Sequence, residues 1–211
     1  MKSTRLDQLS DGIFAIVLTF LTFDLKIEAL PHPAADQALW DALVKISPIL
    51  LSFVLSFALI FTYWRAHHYI VSIYAKNIDS KLTSINAMFF FFIALIPFTT
   101  RLLGEYSDTR LAIILYASNI IMIGISLLWM REYVLSSGHL NHAFVTKFEK
   151  RRGAIRIVVP MICAVAAIGV CFYSTWIAFV LLTFAIVFNL LSRSTRTVNW
   201  LMVKTKEEFI G

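Results

Sequence analysis

Apolar residues gather into six runs, 8–27, 42–64, 83–103, 111–131, 156–173 and 175–192, separated by polar connectors. Each approaches the roughly 20 residues that a helix needs to cross about 30 Å of hydrocarbon. The pattern predicts an all-α integral membrane protein with six transmembrane helices, forming one domain over residues 1–211. The first run is the weakest, because only 12–23 is free of charge. Between the fifth and sixth runs, Tyr173-Ser174-Thr175 reads as a minimal hairpin turn. Pro48 and Pro160 fall near helix starts, whereas Pro97 lies deep in the third run. A proline there removes one backbone hydrogen bond and predicts a kink. The connector 132–153 is polar and basic and predicts a helix extended beyond the bilayer.

Composition agrees with this class. The chain is 59% hydrophobic and 15% charged, against about 45–50% and about 25% in soluble domains. Its net charge of +6 is unevenly placed. Lys2, Arg5, Arg65, Lys76, Lys81, Arg131, Lys147, Lys150, Arg151, Arg152, Arg156, Arg193, Arg196, Lys204 and Lys206 fall on one side of the predicted spans. Only Lys26, Lys45, Arg101 and Arg110 fall on the other. Cytoplasmic connectors carry the basic excess, so both termini are expected in the cytoplasm, which requires an even number of spans. Topology thus accounts for the charge, and nucleic acid is not an expected partner. The run 147–152 reads as a topology determinant touching anionic lipid. Cys163 and Cys171 share one apolar run, which argues against a disulfide scaffold. Asp7 and Asp11 spoil the basic start of a signal peptide and no A-x-A site follows, so the first helix is expected to remain.

That first helix carries the unusual chemistry. At about 100° per residue, Gly12, Ile16, Thr19 and Phe23 fall in one sector. Asp11, Ala15, Thr22 and Lys26 lie beside it, while Phe14, Val17 and Leu21 face away. Hydroxyl and apolar rings from symmetry-related helices can form a gated constriction. The same small and hydroxylated residues also suit close helix packing. Charged groups near hydrocarbon are expensive and count as functional candidates, which draws attention to Arg5 and Asp11. Plainer roles exist: Ser10 or Asp11 can cap the helix, and Arg5 can reach the headgroups. His139-x-x-His142 has a metal-site spacing but stands in a polar connector without cysteine, so no metal site is predicted. No zincin, phosphate-binding or nucleophile-elbow motif occurs.

Arg5-x-x-x-Leu9-Ser10-Asp11-Gly12-Ile13-Phe14-Ala15-Ile16-Val17-Leu18-Thr19 resembles the first-helix signature of the lysosomal potassium channel family, transmembrane protein 175, and its prokaryotic members. Leu9 stands where that signature has Phe. The resemblance extends to Trp64-Arg65-Ala66-His67-His68, to Asn86 and to 94–100 (Ala-Leu-Ile-Pro-Phe-Thr-Thr), and thins beyond the fourth run. It implies a passive potassium channel of the prokaryotic plasma membrane, with no re-entrant filter loop; no Thr-Val-Gly-Tyr-Gly occurs. It also implies a homotetramer lined by the first helix, with Ile16 as constriction and Thr19 aiding potassium preference. Phe20 and Phe23 would add further apolar layers, bulkier than usual in the family. The resemblance further implies a cytoplasmic polar network of Arg5, one of His67 and His68, and an acid such as Asp79 or Asp7. No cofactor is implied beyond the permeating potassium ion near Ile16 and Thr19. Two other classes stay open: a secondary transporter or proton-conducting protein, and an intramembrane enzyme using His67 or His68 with Asp79.

Overall fold

The computed structural model describes residues 3–30, 35–75, 77–137, 140 and 147–190. Lys2, the prolines of the first connector, Lys76, His139, His142 and the basic tail from 193 onwards lie outside the described residues. So does the C-terminus, whose side of the membrane the sequence predicts.

Every regular element described is helical: α1 (Ser3–Phe20), α2 (Asp36–Lys45), α3 (Ser47–His68), α4 (Ser80–Ala94), α5 (Ile96–Glu105), α6 (Arg110–Ser136), α7 (Lys147–Val170) and α8 (Thr175–Leu190). Five helical stretches are long and apolar enough to cross a membrane: Arg5–Asp24, Ser47–Ser72, Ser80–Glu105, Arg110–Ser136 and Gly153–Val170. The protein is therefore a multi-pass membrane protein. Helix α8 starts where the sixth run was expected, and its 16 described residues span about 24 Å at 1.5 Å per residue.

Several boundaries differ from the hydropathy pattern. Helix α1 begins at Ser3, not at residue 8, because Arg5 to Gln8 continue the helix and bury Leu6. Ser10 therefore sits inside the helix and donates to the Leu6 carbonyl at 2.6 Å, so it is no N-cap. The end tightens into a 3-10 turn, Leu21–Asp24, instead of continuing to residue 27. Residues 36–45 form the separate helix α2, which carries Asp36, Gln37, Asp41 and Lys45 among its ten residues. Helix α7 begins at Lys147, which leaves Pro160 in its interior and not near its start. Pro48 does lie in the first turn of α3. The third run breaks at Leu95, two residues before Pro97, into α4 and α5.

Helices α3, α5 and α6 meet in the centre around Tyr63, Tyr116 and Ile113. A hydroxyl chain fastens them: Thr100 donates to Ser56 at 2.7 Å, and the Ser56 and Tyr116 oxygens lie 2.9 Å apart. The α7–α8 hairpin packs against α6 and α3, whereas α1 lies across α3, α4 and α5. Helices α3 and α5 cross closely at Gly104, where an added Cβ would lie 2.8 Å from the Ile49 Cα. Backbone cannot yield as a side chain can, so Gly104→Ala is expected to cost about 1–3 kcal/mol. Gly124→Ala meets only the Met161 side chain, which is flexible enough to move. Unfolding in mixed detergent should show a lowered midpoint for the first variant and little change for the second.

Candidate functional site

Helix α1 meets its own subunit along one narrow stripe. Leu6, Ser10, Phe14, Val17 and Leu21 are buried, recurring every three or four residues as a helix face requires. Phe14 is 2% exposed, Val17 4% and Leu21 1%. On the other side, Gly12, Ile16, Thr19 and Phe23 are all exposed, Ile16 at 54% and Phe23 at 62%. Nothing lies within 4 Å of a Cβ built on Gly12. The predicted stripe is thus exposed in the subunit over its whole length.

Hydroxyl geometry along this face is specific. Thr19 Oγ1 donates to the Ile16 carbonyl at 2.8 Å, and Thr22 Oγ1 to the Thr19 carbonyl at 2.7 Å. Each hydroxyl proton is committed to backbone, so the oxygen lone pairs remain as acceptors. Phe20 and Phe23, with ring centroids 5.7 Å apart, form an apolar band beside Thr19. Just past the C-terminal end of α1, Asp24 lies 3.9 Å from Arg101, which also pairs with Glu105 at 2.9 Å.

The N-terminal half of α1 is held by its acids. Trp64 Nε1 donates to Asp11 at 2.8 Å, and Ser72 Oγ donates to Asp7 at 2.6 Å. His68 Nδ1 lies 3.6 Å from Asp7 and 3.2 Å from Ser72 Oγ, with its ring stacked on Trp64. Its neighbour His67 is buried, about 100° further round α3. His67 Nε2 lies 2.7 Å from the Asn86 amide oxygen, and the ring stacks on Phe89 with centroids 5.1 Å apart. Phe14 of α1 completes that aromatic group, its ring centroid 6.0 Å from His67. Asp79 caps α4 through the Leu82 amide at 2.8 Å and accepts a hydrogen bond from Tyr133. Arg5 is exposed.

The histidines therefore serve two different sites, and only His68 reaches an acid of α1. Trp64, Ser72, Asn86 and Phe14 had no predicted role as partners here. Trp64 and Asn86 stood in noticed motifs, but their partners are 53 and 19 residues away, beyond any local signal. Among the described residues, no group of three or more His, Cys, Asp or Glu side chains is placed to hold a metal ion.

This face belongs to a segment with relatives. Residues 5–97, which include α1 from Arg5 onwards and the contacts of Asp7 and Asp11, match the family described as the endosomal/lysosomal potassium channel TMEM175. A solved structure, that of a lysosomal potassium-selective channel TMEM175 homolog from Chamaesiphon minutus, superposes with a TM-score of 0.74. That match is 26% identical and covers 91% of this chain and 97% of the other. Over residues 5–97 the chain is similar to the TMEM175 family. A Streptomyces collinus protein named as a potassium channel is 29% identical over 82% of this chain and 84% of its own length. A Rattus norvegicus relative, named as the endosomal/lysosomal proton channel TMEM175, is 24% identical over all of this chain but only 41% of its own length. The bacterial and structural matches each cover most of this chain. Its relatives are ion channels, so it is not an enzyme, and the reading of His67 or His68 with Asp79 as a catalytic pair falls.

Proposed function

We propose that this protein is a potassium-permeable channel of the TMEM175 family whose pore is built by four copies of α1 in a homotetramer. The exposed stripe of α1 carries this reading. Gly12, Ile16, Thr19 and Phe23 are exposed in the subunit, while the opposite stripe is buried in it. Closed symmetry is the usual way for identical chains to cover such a face. Four isoleucines at position 16 would form the constriction, closing by dewetting and opening as the helices move apart. Thr19, one turn outwards, would present oxygen acceptors to a partly dehydrated potassium ion, and Phe20 and Phe23 would bound the route above. Asp11 and Gly12 serve this arrangement by anchoring the inner end and by letting the helices approach. The inner polar network is Asp7, Asp11, Trp64, His68 and Ser72, with Arg5 exposed beside it. Six spans, cytoplasmic termini and residence in the cell membrane complete the proposal.

Recording purified protein in a planar bilayer under a potassium gradient tests it: ohmic unitary currents reversing near the potassium potential are expected. Currents that saturate at turnover rates would instead mark a transporter. Thr19→Ala is expected to retain current but shift the reversal potential in mixed potassium and sodium towards zero. An unchanged reversal potential would remove Thr19 from the selectivity layer. The names of the animal relatives favour a second reading, proton conduction. A reversal potential that follows a pH gradient, and not the potassium gradient, would select it.

A further inference from the structure

A groove of about 660 Å³ lies between the start of α3, the turn joining α5 to α6, and α8. Its walls are apolar, with Leu51, Trp176, Phe179 and Val180, while Ser107 and Asp108 stand at one end. Cavities of ~300–1,000 Å³ with mostly apolar walls and few polar groups are the usual form of ligand sites. From Trp176 to Thr183 the groove follows α8 for about 10 Å, within the roughly 15 Å depth of one leaflet. All three segment ends at its mouth, Ser47, Asp108 and Thr175, fall on the side poor in basic residues. The groove therefore runs from the outer headgroup level into the outer leaflet.

Charge selects the headgroup. Asp108 is exposed and has no ion-pair partner among the described residues; Arg110, two residues on, is turned to the Phe172 ring, 5.8 Å away. Position selects lipid over a second copy of the chain. Helix α1 packs on α3, α4 and α5, whereas α8 packs on α3, α6 and α7. With α1 at the axis, a placement resting on the pore reading above, the groove lies on the outer flank. We propose that it binds an outer-leaflet phospholipid with a protonated amine headgroup: an acyl chain lies against Leu51, Phe179 and Val180, and the ammonium pairs with Asp108.

Trp176, 74% exposed at the mouth, reports occupancy. A variant with Trp40, Trp64, Trp129 and Trp200 replaced by Phe would be reconstituted in phosphatidylglycerol vesicles. These would hold increasing fractions of brominated phosphatidylethanolamine or brominated phosphatidylglycerol. Half-maximal quenching of Trp176 should need about threefold less of the amine lipid, the scale of one exposed ion pair, and Asp108→Asn should remove the difference. Equal quenching by the two lipids, or a preference that survives Asp108→Asn, would overturn the proposal. Absence of quenching by either lipid would also overturn it, since protein would then cover the groove. Should the single-tryptophan variant fail to fold, native mass spectrometry of the otherwise unaltered chain with and without Asp108→Asn compares retention of the same two lipids. Potassium flux through the unsubstituted chain in vesicles of the same lipids reports the pore reading separately, so either idea can fail alone.

Discussion

Ile16→Asn is expected to raise the potassium leak of reconstituted vesicles at least about tenfold, the effect of lowering a barrier by ~1.4 kcal/mol. In the proposed tetramer, four isoleucine side chains form a ring that water wets poorly, and a cation must shed hydration to pass it. Four amides offer hydrogen bonds to the water column and to the ion, so the closed state loses its dry barrier. Ile16→Trp should act in the opposite sense, filling the same narrow space and bringing flux below that of the unsubstituted chain. Both substitutions fall on a side chain 54% exposed in its own subunit, so neither needs the fold to make room. The pair of outcomes is informative because opposite changes from one position require that position to line the route. A lipid-facing residue would leave flux unchanged in both variants, and the pore reading would not survive that result. A potassium-sensitive dye trapped in the vesicles measures both.

The exposed stripe was legible in the sequence because a helix repeats every 3.6 residues, and Gly12, Ile16, Thr19 and Phe23 keep that period. Which side of α1 would face its own subunit was not, since Phe14, Val17 and Leu21 are no more apolar than Ile16 or Phe23. What distinguishes Phe14 is its complementarity to His67, Phe89 and Phe90, a property of three helices together. Pro97 announced the break between α4 and α5, because a missing amide proton is local. Helix α2 stayed hidden because 42–45 merge with the following apolar run in hydropathy, although a turn at Ile46 separates them. The two adjacent histidines could be assigned to different faces from the helical period alone. Their partners could not: Asn86 and Asp7 come from separate helices, and neither spacing has a signature. Tyr133, whose hydroxyl meets Asp79 from 54 residues away, gave no signal for the same reason.

Phe14→Ala is expected to destabilise the subunit by about 1–3 kcal/mol and to loosen the pore helix as it does so. The same substitution in a soluble core costs about 3–5 kcal/mol, but part of that is transfer from water. Lipid is as apolar as a protein interior, so only the lost contacts and the cavity remain here. The Phe14 ring touches three others, with centroids 6.0 Å from His67, 6.0 Å from Phe89 and 6.3 Å from Phe90. Removing it takes away the main packing that fixes α1 against α3 and α4, while the clamp through Asp7 and Asp11 stays. The helix should then pivot about that clamp, and Ile16, two residues beyond Phe14, should lose its fixed distance from the axis. The observable signature is a lowered unfolding midpoint in detergent together with unstable, flickering unitary currents. Phe14→Leu, which refills most of the volume, should restore both. Loss of midpoint with currents like those of the unsubstituted chain would show that the aromatic group stabilises the subunit without positioning the constriction.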